Sequence, residues 1–126
     1  MKGYVANIEK ETVKNKYFRK VLFTAPNSQL VVMSLKPGEE IGEEVHKLDQ
    51  FIRVEEGKAK FVLNGKEYRA EDDWAVVVPA GTKHNVINIS RTKALKLYTI
   101  YSPPEHKNKT VHKTKEEALA AEHHHH

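Results

Sequence analysis

Four side chains of this 126-residue sequence have the types and spacing to gather around one metal ion: Glu44, His46, Gln50 and His84. Glu44 and His46 lie two residues apart, so in an extended strand they leave the same face. Gln50, four residues beyond His46, returns to that face if Lys47, Leu48 and Asp49 bend without changing the parity. His84 follows Pro79-Ala80-Gly81, where proline fixes φ and glycine permits a tight or left-handed turn, so the imidazole can be aimed sharply. All four are nitrogen or oxygen donors. The absence of cysteine excludes thiolate ligands, disulfides and a cysteine nucleophile.

The four residues belong to two longer spacings, Gly38-x5-Glu44-x-His46-x3-Gln50-x6-Gly57 and Asp73-x5-Pro79-x-Gly81-x2-His84-x3-Asn88. Together they resemble the two motifs of the cupin superfamily, G-x5-H-x-H-x3-E-x6-G and G-x5-P-x-G-x2-H-x3-N. Both are met without gaps, and the fifteen residues between them suit a small single-domain microbial cupin of RmlC-like type. Either motif alone would be weak, whereas the two in register are a strong signal. The resemblance covers residues 30–101. It implies an all-β fold, a double-stranded β-helix or jelly-roll barrel, with one divalent metal ion inside, held by Glu44, His46, Gln50 and His84. Glu44 stands where the family has its first histidine, Gln50 where it has glutamate, and Asp73 where it has glycine. One carboxylate is kept, moved along the strand. Two histidines and a carboxylate with open positions suit iron(II), and the donor set also admits manganese, zinc, nickel or copper. Neutral imidazole is the binding form, so metal affinity is expected to weaken as pH falls toward the histidine range. Small cupins commonly form homodimers, which the resemblance implies here. Gly38, Gly57, Pro79, Gly81 and Asn88 are read as structural.

Family membership leaves the reaction open, since cupins include dioxygenases, decarboxylases, sugar isomerases and epimerases, and non-catalytic binders. The first expectation is a divalent-metal-dependent oxygenase-type or related enzyme acting on a small polar organic molecule. The second is a sugar isomerase or epimerase, for which Tyr98, Tyr101 and His106 are the nearby acid/base candidates in sequence. The third is a binding module that captures a small molecule or metal without turnover. No catalytic residue is assigned, and no cofactor beyond the metal.

The length fits one domain, residues 1–121, and Glu122 with the four histidines after it reads as an expression tag. Hydrophobic residues make 39% and charged residues 30%, an ordinary soluble composition without a membrane-length apolar run or a signal-peptide stretch. A cytoplasmic protein is expected. The net charge of +4 comes from lysines spread along the chain among glutamates, with no arginine-rich run or stacking motif, so neither nucleic acid nor membrane is an expected partner.

Ten short strands are expected, at 4–8, 18–24, 30–35, 43–46, 50–55, 59–63, 66–69, 74–78, 84–89 and 95–101, a spacing that argues for a sandwich or barrel. Asn64-Gly65 is a two-residue hairpin signal. Alternation puts Gln50, Ile52 and Val54 on one face, and likewise His84, Val86 and Asn88. Thr114 and Glu117 form a capping box for a helix over 115–121. His106 and His112 are expected as surface histidines of an irregular tail, the alternative being a shell over the pocket.

Overall fold

Alternation decides the interior, and a computed structural model, which describes residues 2–123, shows the result. The described elements are α1 (Ile8–Lys14), β1 (Arg19–Thr24), β2 (Gln29–Leu35), β3 (Asp49–Glu56), β4 (Lys58–Leu63), β5 (Lys66–Glu71), β6 (Ala75–Val78), β7 (His84–Asn88), β8 (Leu95–Ser102), β9 (Val111–His112) and α2 (Lys115–His123). The strands make a six-stranded antiparallel sheet, ordered β6-β3-β8-β2-β1-β9, and a three-stranded one, ordered β5-β4-β7. Met33, Leu35, Ile52, Val54, Leu95 and Leu97 from the first meet Ala59, Phe61 and Val86 from the second in one buried cluster. Full burial of such a side chain is worth about 1.5–3 kcal/mol, so this interleaving of the two faces is what holds the sheets together. The architecture is the expected jelly roll with a short C-terminal helix.

Asn64 and Gly65 both take positive φ, 49° and 83°, and join β4 to β5 as the hairpin expected of that dipeptide. Between β3 and β4 the chain leaves one sheet for the other at Gly57, whose φ is +120°.

Two expected strands are absent. Residues 4–8 do not form one: Tyr4 stacks on Phe23 at 5.7 Å, Val5 is 99% exposed, and α1 begins at Ile8. Asn7 Oδ1 accepts from the Lys10 amide, and Glu9 and Glu11 occupy the first turn, so a capped N-terminus with favourable acidic charge outweighs a weak apolar alternation. Residues 43–46 keep only one antiparallel bridge, Glu44 to His84. The cause is Gly42, whose φ of +108° breaks the strand and whose amide is bound by the Asn85 side chain at 2.9 Å rather than by a ladder partner. The segment still runs beside β7, with Ile41 donating to the Val86 carbonyl and Glu44 exchanging both backbone bonds with His84.

Candidate metal centre

The backbone pairing of Glu44 with His84 brings the two sequence motifs together. One ligand atom each from Glu44, His46 and His84 lie within 4.8 Å of one another. His84 opens β7 and is 4% exposed; its Nδ1 lies 2.8 Å from the Thr82 carbonyl, which fixes the proton there and leaves Nε2 as the lone-pair donor. His46 precedes β3, and its position is pinned by the Gly81 amide donating to its carbonyl at 2.8 Å. The two imidazoles face each other with centroids 5.3 Å apart.

His46 is held at both ends by carboxylates. Its Nδ1 lies 3.1 Å from Glu105 Oε2, a hydrogen bond, and its Nε2 lies 3.6 Å from Glu44 Oε1, beyond hydrogen-bond range but within strong electrostatic reach. Glu105, then Glu44, raise the His46 pKa to about 9, against the opposing effect of burial. A cation entering the site must therefore displace a proton that persists well above the ordinary histidine range assumed from sequence. Burial alone would raise Glu44, but its interaction with the His46 ring, and behind it the charge of Arg19, take it below the usual carboxylate value. Glu105 is lowered by its hydrogen bond to His46.

Gln50 enters through β3, where alternation buries it beside Ile52 and Val54 as expected. Its Nε2 donates to Thr99 Oγ1 at 3.0 Å, which turns the amide so that Oε1 is the remaining atom. Gln50 Oε1, His46 Nε2 and His84 Nε2 are all buried without a hydrogen-bond partner.

A cavity of about 370 Å3 opens onto this cluster, lined by Glu44, His46, Glu105, His106, His112 and Arg19 among others. Here the expectation of exposed tail histidines is corrected. His106 is half-buried, packed edge-on against Tyr101 at 5.3 Å, and its backbone is clamped by Gln29, which accepts from its amide at 2.9 Å and donates to its carbonyl at 2.7 Å. His112 joins β1 through β9, with Nδ1 3.3 Å from Arg19 Nη1. Burial, and secondarily the Arg19 charge, lower His106 to about 4. Burial pushes the Tyr101 hydroxyl far up, so it stays protonated. Of the acid/base candidates, Tyr98 lies on the opposite face of β8 from Tyr101 and rests against Phe51. Sequence reasoning missed Arg19 and Glu105, since neither belongs to a motif and both reach the site only through tertiary pairing.

The family model for the cupin domain matches residues 31–101. The chain is 49% identical over 129 residues to the uncharacterized protein YrkC of Bacillus subtilis (strain 168), covering 96% of this chain and 68% of that protein. It is 50% identical over 108 residues to an uncharacterized protein of Acanthamoeba polyphaga mimivirus, covering 82% of this chain and 67% of that one. The crystal structure of BH2720 from Bacillus halodurans matches with a TM-score of 0.91 at 44% identity, over 94% of this chain and 95% of that one.

Proposed function

Because this chain belongs to the cupin family, we propose that Glu44, His46, Gln50 and His84 hold one divalent metal ion, and that the protein is a metal-dependent enzyme of oxygenase or related type acting on a small polar organic molecule. The observation that carries this reading is the pair of buried, unpartnered nitrogens, His46 Nε2 and His84 Nε2, in one cluster with the Glu44 carboxylate. Gln50 Oε1, buried and unpartnered on the inward face of β3, supports its place as the fourth ligand. Each orphaned buried polar atom costs about 1–3 kcal/mol, and a cation between them would satisfy the two histidine nitrogens at once. Both histidines have their other nitrogen committed, one to Glu105 and one to a backbone carbonyl, which is the support that metal-binding imidazoles require.

A divalent ion there would supply a Lewis acid or a redox centre for dioxygen chemistry. The protein's own residues hold the surroundings. Tyr101, edge-on to both His46 and His106, keeps its hydroxyl protonated, and the segment that carries Glu105 and His106 lines the cavity. His106 lies in that cavity with Nε2 buried and unpartnered, and this placement keeps an isomerase reading as the second choice, with a base weakened by burial, which lowers it to about 4.

Elemental analysis of protein ending at Ala121, purified without added metal, tests the site free of the terminal histidines. The expected outcome is about one ion per chain, lost in His46→Ala and in His84→Ala while circular dichroism is unchanged. Retention of metal by both variants would sink the proposal. Oxygen consumption by the iron-loaded protein with small diols and acids then separates oxygenase chemistry from proton transfer.

A further inference from the structure

Arg19 opens β1 and is only 4% exposed. Among the described residues no ion pair includes it and its Nε has no hydrogen-bond partner; it meets His112 Nδ1 at 3.3 Å, the Phe18 ring at 5.2 Å from Cζ and the Tyr101 hydroxyl, which is protonated and carries no charge. A buried guanidinium without a counter-ion is costly, so it persists only where a ligand's charge answers it or where function demands it. The carboxylates of the same cavity answer it only from a distance: Glu44 feels its charge but, like Glu105, lies against His46, and Glu122 is exposed at the rim. His106 Nε2, in the same cavity, is likewise buried and unpartnered.

Resting on the metal reading above, we propose that Arg19 anchors the carboxylate of a small organic acid, with His106 Nε2 beside it, so that the acid's other oxygen end faces Glu44, His46 and His84. A guanidinium recognises a carboxylate through a planar fork of donors that no ammonium reproduces. The volume of about 370 Å3 is at the small end of ligand pockets, which run roughly 300–1,000 Å3, and so selects a compact acid. Arg19 is thereby a specificity residue, and the substrate class narrows from polar molecules in general to anionic ones.

Calorimetric titration of protein ending at Ala121, manganese-loaded and metal-free, with glycolate, malonate and succinate and with their amides, tests this. At least one acid is expected to bind about tenfold or more tightly than its amide, with Arg19→Gln erasing the difference and Arg19→Lys keeping part of it. Equal binding of acids and amides, no binding of any acid, or an undiminished preference in Arg19→Gln overturns the proposal. Where Arg19→Gln fails to fold, Arg19→Lys decides, an undiminished preference there overturning the proposal. Protein that takes up no manganese yet prefers acids through Arg19 removes the metal reading alone, whereas loaded protein indifferent to charge removes this inference alone.

Discussion

Glu105 acts on the site through another residue. Its carboxylate, 3.1 Å from His46 Nδ1, sets which way the ring points and which nitrogen is free. Carboxylate support of this kind typically contributes 10–100-fold to metal affinity. Glu105 also holds a proton on His46, which opposes metal entry, so two effects of opposite sign reside in one side chain. Glu105→Gln is therefore expected to weaken nickel binding by about tenfold at a pH of about 10, above the His46 value of about 9, where most of the proton is gone, and by less at neutral pH. Competition against a chelator at the two pH values measures both. Equal losses at the two would show that the proton plays no part.

The donors are positioned by irregular backbone at the ends of regular strands. Gly42 ends one run, the turn at Gly81 aims His84, and buried Gln29 at the start of β2 ties down the backbone of Glu105 and His106. The sheets have to be joined as well as formed, and Gly57 is where β3 passes into β4. Its amide donates to Asp72 Oδ1 at 2.8 Å, and an added Cβ would meet the Ala94 carbonyl oxygen and Leu95 Cα at 3.1 Å, both backbone atoms with little room to yield. With φ at +120° the position also strains any L side chain. Gly57→Ala should lower stability by about 2–3 kcal/mol by urea denaturation, with metal stoichiometry kept in the folded fraction. A neutral result would mean that the junction relaxes freely.

Across the whole molecule the acid limb of stability carries the signature of a histidine buried neutral. His106 titrates at about 4 in the folded chain against an ordinary value of 6.5. Its folded pKa is depressed, so the unfolded chain takes up the proton first. The corresponding stability is complete above pH 6.5 and is lost as pH falls through 4. The shift corresponds to about 3 kcal/mol. The carboxylates of Glu44 and Glu105, both lowered, add to the same limb, so the histidine share is read from the difference between the parent chain and His106→Gln. Thermal unfolding between pH 7 and 4 is expected to show a flatter decline in the variant, and parallel curves would remove His106 from the account. Among the described residues no helix is long and apolar enough to cross a membrane.

Spacing and parity by themselves determined a sandwich or barrel, the inward faces of β3, β7 and β8, the Asn64-Gly65 hairpin and the common face of Glu44 and His46, because period-two alternation and turn chemistry are local properties that side-chain order records directly. The jelly roll and the grouping with His84 came instead from the resemblance of the two motifs to the cupin family. The helix at Ile8–Lys14 was also written locally, in Asn7 and the acidic turn after it, but competed with an apolar alternation that looked like a strand. Only the tertiary structure decided that β9 lies against β1, that Gln29 ties down the segment after β8, and that Arg19, Glu105 and His106 consequently line one cavity with Glu44 and His46. Those residues are separated by most of the chain. No periodicity links positions 19 and 105, so their meeting is a consequence of how the sheet closes and of nothing that either segment encodes alone.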